Sequence, residues 1–428
     1  MTKFYTFYQL VMDERFLLHN THWEDPARFE DLDPNLRKLK RQYYVFESAL
    51  LNQLPVTEPG IYTLGGGRQI GKTTLLKQWM VQLMKDGVPP KTIAFFTGEL
   101  IDDYHTLLRL IQTQLAEMPG TSLRYLIIDE VTYIPHWDKA IKYAADGGLL
   151  ENVILLLTGS DLILIKEALM RFPGRRGKSA TVNFHLYPLS FREMVILKQK
   201  NIPEVLSPDV VQMLFSEFEN YLTHGGYLKA INDLALNQQI LDSTLITYSD
   251  WIRGDMLRRG KQEYHLREII NAIIKRYNSQ ISWNSLAQDL SIDHPKTVSD
   301  YVEILEMMDA VFVQAALLED KLAAAPKKAR KVMFTDPFIY HALKAWIEPV
   351  TDAYTNQILP TLNNPIFNAQ LTETCTITQY RRYYPTYYIK AEGEVDIAYI
   401  DKKRFWPIEI KLPLTLWQLG VGGWSAPI

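Results

Sequence analysis

The octapeptide Gly66-Gly67-Arg68-Gln69-Ile70-Gly71-Lys72-Thr73 constrains this chain more than any other stretch, because it matches G-x-x-x-x-G-K-[ST] in full. It sits between a short apolar run, Ile61–Leu64, and a segment in which Leu75, Leu76, Trp79, Met80 and Leu83 recur at helical spacing. The chemistry needs that order. Glycines let the backbone curl until its N–H groups face an anion, and the following helix adds its positive end. Lys72 is then placed for the β- and γ-phosphates of ATP and the Thr73 hydroxyl for Mg²⁺, with Gly66 to Thr74 as the binding segment. A chance match in a glycine-bearing turn is the competing explanation, and the flanking strand and helix weigh against it.

Strand-like runs at Thr92–Phe96, Tyr125–Ile128 and Val153–Leu157 alternate with helical stretches around Tyr104–Met118 and Trp137–Ala145. That alternation predicts a parallel sheet covered on both faces, and the uniformly apolar runs agree with double burial. The run Tyr125–Ile128 leads into Asp129-Glu130. Asp129 is assigned to the metal, and Glu130 to orienting and deprotonating the attacking water; a solvated acidic turn is the bland alternative. Val153–Leu157 leads into Thr158-Gly159-Ser160, where Ser160 is assigned to sense the γ-phosphate or the water. In the basic loop Arg171–Gly177, Arg175 and Arg176 are candidates for stabilising transition-state charge, in the same subunit or a neighbour. A merely solvated loop explains them nearly as well.

At 428 residues the chain exceeds one ordinary domain. A hydrophobic fraction of 47 % with 22 % charged residues provides for sizeable cores and excludes wholesale disorder. Cys375 is the only cysteine, which rules out an intrachain disulfide or a multi-cysteine zinc site and fits a reducing cytoplasm. Lys3, Asp13, Glu14 and Arg15 interrupt the start, so no signal-peptide core is expected, and no run is long enough to cross a bilayer. A net charge of −3 leaves nucleic-acid binding open.

The expected organisation is a helical extension over 1–60, an α/β P-loop domain with a parallel sheet over 61–195, and a helical connector over 196–260. A winged-helix-like region follows over 261–322, then a tail over 323–428. The winged-helix reading rests on Ser282–Val313, with Ser291-Ile292-Asp293 as its turn and Ala323–Arg330 as a linker beyond it. The second helix there carries Asp300, Glu303 and Glu306 against a single Lys296, which favours packing or a protein contact over DNA.

The phosphate loop, Ile-Ile-Asp-Glu-Val, Leu-Thr-Gly-Ser, Tyr-Pro-Leu-Ser-Phe-Arg-Glu at Tyr187–Glu193, and Tyr221-Leu222 with Gly225-Gly226-Tyr227 occur in that order. The series resembles a prokaryotic AAA+-like P-loop ATPase family whose C-terminal domain, of uncharacterised function, is restriction-endonuclease-like. The likeness covers about Ile61 to Lys411, with Tyr-Pro-Leu-Ser-Phe its most specific element. It implies a cytosolic ATPase with an accessory winged-helix domain and a small α/β C-terminal domain, and it supplies no substrate. No Asn-Lys-x-Asp run of the guanine-specific kind is present.

In the tail, Glu394-Val395-Asp396 and Glu409-Ile410-Lys411, the latter in a strand-like run Pro407–Leu412, resemble the Asp-(x)n-Glu-x-Lys arrangement of metal nucleases. Asp396 and Glu409 would hold divalent ions, Lys411 would position water, and Glu373 on a preceding helix would complete the acidic set. Glu-x-Lys on an edge strand is also an ordinary cross-charge pattern. Residues 412–428 are fewer than the further helix and strand such a fold needs, so its core is expected to be incomplete. Three functions follow: an ATPase that couples nucleotide state to C-terminal domains, an ATP-regulated DNA endonuclease, or a nucleotide-gated protein-binding switch. DNA, a protein partner or a second copy of the chain are the expected partners besides ATP.

Overall fold

The computed structural model describes residues 17–120, 123–159, 170, 172, 177–292, 294–390 and 394–411. The chain divides into two compact units. The first runs to Pro188 and includes Met307–Asp309; the second comprises the rest.

The described part of the first unit begins with short pieces of helix. Single turns of 3₁₀-helix at Thr21–Trp23 and Pro26–Arg28 lead to α1 (Phe29–Leu32) and α2 (Pro34–Lys40). Asp33 starts α2 as its N-cap, accepting from the Asn35 and Leu36 amides, with Pro34 at the position where a missing N–H does no harm. These pieces are part of the main core. Phe29, Leu36, Leu51 and Leu54 are buried with the helix behind the phosphate loop, α3 (Lys72–Lys85). At roughly 1.5–3 kcal/mol per buried side chain of this size, the segment contributes materially to the unit's stability.

The sheet has five parallel strands: β1 (Gly60–Gly65), β2 (Ile93–Thr97), β3 (Arg124–Asp129), β4 (Val153–Thr158) and β5 (Asn183–His185), in the order β2-β3-β4-β1-β5. Successive residues feed opposite cores, as the strand period demands. Tyr62, Phe95, Ile127 and Leu156 pack on the α3 side, while Ile61, Phe96, Leu126 and Leu155 face α4 (Tyr104–Glu117) and α5 (Trp137–Asp146). Because β4 stands between β1 and β3, the acidic strand is one strand removed from the phosphate loop, and the tip of β4 falls between them.

Strand β2 ends the sheet, and a side chain closes its outer edge. The Asn20 amide donates to the Phe95 carbonyl at 2.8 Å and accepts from the Phe95 N–H at 2.7 Å, as a neighbouring strand would. Trp23 Nε1 donates to the Ile93 carbonyl at 2.7 Å. The outward-facing groups of Phe95 and the Ile93 carbonyl are thus occupied, which blunts the edge's tendency to recruit another strand.

The second unit is helical from α6 (Phe191–Leu197) through α7 (Pro208–His224), α8 (Leu228–Asn237), α9 (Asp242–Arg258) and α10 (Glu263–Lys275). Then come α11 (Trp283–Gln288), α12 (Pro295–Met307) and the strands β6 (Val311–Ala315), β7 (Leu317–Leu318), β8 (Ala323–Ala324) and β9 (Arg330–Phe334). β6 pairs antiparallel with β9 and β7 with β8, so the division expected at residue 322 and the linker expected over 323–330 fall inside one hairpin. The unit continues with α13 (Pro337–Ile347), α14 (Leu359–Asn363), α15 (Pro365–Arg381) and an antiparallel sheet β10 (Thr386–Lys390), β11 (Glu394–Asp401), β12 (Arg404–Ile408). Its C-terminal part, from α13 to β12, is a small mixed α/β region.

The signature residues from Leu189 onward meet in this unit. The Tyr221 hydroxyl donates to the Leu189 carbonyl at 2.6 Å, and the Leu189 N–H donates to the Gly226 carbonyl at 2.8 Å. Asp336, N-cap of α13, accepts from the Gly226 and Phe338 amides, each at 2.8 Å. Gly225 sits at φ 57°, and a Cβ there would overlap the Asp336 carboxylate, so only glycine fits.

Candidate active site

The phosphate loop leaves β1 with Gly66 at φ 140°, where a Cβ would lie 2.5 Å from the Leu186 carbonyl oxygen. Gln69 follows in the left-handed region at φ 58°, and Gly71 caps α3. Ile70 is half-buried, and Arg68 donates to the Tyr133 hydroxyl from within the loop. Lys72 is buried with only 4 % of its side chain exposed, and its ammonium donates to the Gly66 and Gly67 carbonyls, each at 3.0 Å. The same ammonium lies 3.5 Å from Glu130.

One carboxylate links three elements. Asp129, at the end of β3, accepts from the Thr73 hydroxyl at 2.6 Å through Oδ2 and from the Thr158 hydroxyl at 2.5 Å through Oδ1. Thr158 Oγ1 in turn accepts from the Glu130 N–H at 2.8 Å. The end of β4 therefore fixes both acidic residues. Glu130 itself sits at φ 52°, a left-handed conformation that costs a non-glycine residue on the order of 1–3 kcal/mol and is held by its surroundings. Burial pushes the Asp129 carboxyl up from its usual range; the two threonine hydrogen bonds and Lys72 pull it back, and Glu130 adds to the rise.

The motif residues Gly66 through Thr73, with Thr74 in the first turn of α3, lie beside Asp129 and Glu130 at one end of the sheet. Ser160, Arg175 and Arg176 lie outside the described residues. Thr158 was not singled out, although it opens the polar strand tip to which Ser160 belongs. Nor was Lys77, one turn and a half into α3: it is fully buried, 3.3 Å from Asp33, with its ammonium 3.6 Å from the centre of the Phe95 ring.

The four tail residues do not form one cluster. Glu409 and Lys411 lie beyond the end of β12, mostly exposed, and pair with each other at 3.5 Å. Their strand ends at Ile408, short of the expected Leu412, because the Asp396 carboxylate takes the Ile410 N–H at 2.9 Å in place of a ladder partner. Glu373 accepts from Lys331 at 3.1 Å. Among the described residues no group of three or more His, Cys, Asp or Glu is arranged to hold a metal by itself, and no helix is long and apolar enough to cross a membrane.

Residues 58–195 match the family described as AAA domain, and residues 215–349 a domain of unknown function, DUF8612. An uncharacterised protein of Haemophilus influenzae is 25% identical over 259 residues, 58% of this chain and 60% of that protein. One of Methanocaldococcus jannaschii is 22% identical over 305 residues, 65% of this chain and 61% of that protein. The chain thus matches about three fifths of the length of these relatives. Among solved structures, a Walker-type ATPase of Pyrococcus abyssi aligns with a TM-score of 0.43 at 16% identity, covering 75% of this chain and 95% of that one. The Aeropyrum pernix ORC1 protein, solved in complex with DNA, gives 0.35 at 14%, covering 74% and 92%. Both scores are low and carry no argument; the AAA match and the loop geometry give residues 58–195 an AAA-like P-loop fold.

Proposed function

We propose that the chain hydrolyses ATP in a Mg²⁺-dependent reaction at this site and couples nucleotide state to its C-terminal elements. The observation that carries the reading is the hydrogen-bonded series Thr73–Asp129–Thr158–Glu130, which brings a hydroxyl, a metal-type carboxylate and a general-base carboxylate to one end of the sheet. Thr73 and Asp129 are hard oxygen donors in mutual contact, and they fit a nucleotide-bound Mg²⁺, which needs only one or two protein oxygens. When bound, that ion supplies charge neutralisation at the phosphates. Lys72 exchanges its bonds to the loop carbonyls for the β- and γ-phosphates. Glu130 orients the attacking water and takes its proton. Until phosphates compete for Lys72, the lysine keeps Glu130 neutralised. Roles for Ser160 at the γ-phosphate and for Arg175 or Arg176 at developing charge rest on their sequence positions.

Three helices, α10–α12, followed by the β6–β9 hairpin support a winged-helix reading of that stretch. Helix α15 leading into a three-stranded antiparallel sheet supports the restriction-endonuclease-like reading of the tail. In α12 the buried side chains are Val298, Tyr301, Val302, Ile304 and Leu305, Glu303 is exposed, and Asp300 and Glu306 are half-buried, which supports a protein contact rather than a DNA-reading surface. A cytoplasmic location is part of the same proposal.

Phosphate release from ATP with Mg²⁺, with and without DNA, tests the reading. Wild type is expected to turn over, Lys72→Ala to lose nucleotide binding, and Glu130→Gln to bind ATP while turnover falls about a hundredfold or more. Binding without turnover in wild type under every condition would overturn the hydrolase reading in favour of a gated switch.

A further inference from the structure

The acidic set in the C-terminal unit already holds a cation, and that cation is part of the protein. Lys331 lies on β9, in register with Gln314 of β6, and only 3 % of its side chain is exposed. Its ammonium is 3.1 Å from Glu373 of α15 and 2.8 Å from Glu394 at the start of β11. The Tyr388 ring lies within 5.6 Å of it on β10. The second oxygen of Glu394 accepts from Gln280 at 3.1 Å, and Gln280 accepts from Lys390 at 2.8 Å. Asp396 is close enough to act electrostatically on Glu373, but its own carboxylate is engaged by the Ile410 N–H. Two carboxylates, from α15 and β11, thus meet at one ammonium, with the Tyr388 ring of β10 beside it.

We propose that Lys331 is the resident cation of this site, standing between Glu373 and Glu394 where a divalent ion would otherwise bridge carboxylates, so that the C-terminal unit binds no catalytic metal there. A divalent ion entering beside Lys331 would be repelled by it, and one replacing it would leave a buried ammonium without its partners. The remaining residues of the nuclease-like pattern do not offset this, because Glu409 and Lys411 satisfy each other in solvent. The inference is independent of ATP hydrolysis and concerns the other unit.

Mn²⁺ titration of the nucleotide-free chain, followed by the electron paramagnetic resonance of the free ion, tests it; Asp129→Ala in every sample removes the phosphate-site carboxylate. The chain with Lys331 intact is expected to bind no Mn²⁺ at the C-terminal acids. Lys331→Met should gain one site per chain, and adding Glu373→Gln should abolish it. Mn²⁺ bound with Lys331 in place and weakened by Glu373→Gln would overturn the proposal. So would a folded Lys331→Met chain, checked by circular dichroism, that gains no site. If Lys331→Met does not fold, the titration with Lys331 intact still decides, with Lys331→Arg as the charge-preserving partner that should also bind none.

Discussion

Thr158 shows how much a single hydroxyl can be asked to do. It spans the gap between β3 and the segment after it, bonding the Asp129 carboxylate on one side and the Glu130 backbone on the other. Thr158→Val keeps the shape but removes the hydroxyl bond to Asp129 Oδ1 and the acceptor for the Glu130 N–H. We expect kcat to fall about 10- to 100-fold, as for other groups that orient a metal ligand, with nucleotide affinity less affected and Thr158→Ser restoring most of the rate. Steady-state kinetics beside fluorescent-nucleotide binding would separate the two. Lys72, Asp129 and Glu130 were legible in the sequence because each is fixed by spacing within a few residues of a strand end. The part played by Thr158 was not, because it depends on β4 lying between β1 and β3, and no local pattern encodes which strand stands beside which.

Helices α2 and α3 are joined by a buried ion pair, Lys77 with Asp33, in which the lysine also donates to the His19 carbonyl at 2.7 Å. Removing one member strands the other in the core. Lys77→Met and Asp33→Asn are each expected to destabilise the chain by about 3–5 kcal/mol, while the double variant should lose less than the sum. Urea unfolding of the four proteins closes that cycle. Among the elements, the strands and α3 were readable from apolar runs and helical spacing. The ion pair was not, since its members are 44 positions apart and each alone reads as a solvated charge. The hairpin of β6 and β9 failed to show for a related reason. Its connection, Ala323–Arg330, is small, proline-bearing and basic, which is also the composition of a linker.

For the molecule as a whole, two buried ionisable groups give stability opposite responses to pH in separate windows. Asp336 in the second unit is raised by burial from 3.8 to about 6, with the Gly226 and Phe338 amides opposing. The native state then holds its proton more tightly than the unfolded chain, so this contribution to stability is lost as pH rises from about 4 to about 6. Lys77 in the first unit is lowered by burial from 10.5 to about 8, with Asp33 opposing. There the unfolded chain binds the extra proton, so stability rises with pH from about 8 to about 10.5. Urea midpoints of wild type minus Asp336→Asn should fall across the first window, and those of wild type minus Lys77→Met should climb across the second. A flat difference in either window would refute the corresponding assignment.

The closure of β2 by Asn20 also has a consequence in time. The bonding partners are 75 positions apart, so on a chain made from its N-terminus Asn20 emerges well before Phe95 does. Until that stretch has been synthesised and paired, the asparagine has nothing to cap. Even then a loop of that length must close before the contact forms, which places it among the slower, non-local steps of folding. A nascent chain therefore carries an uncapped β2 edge until Asn20 reaches Phe95.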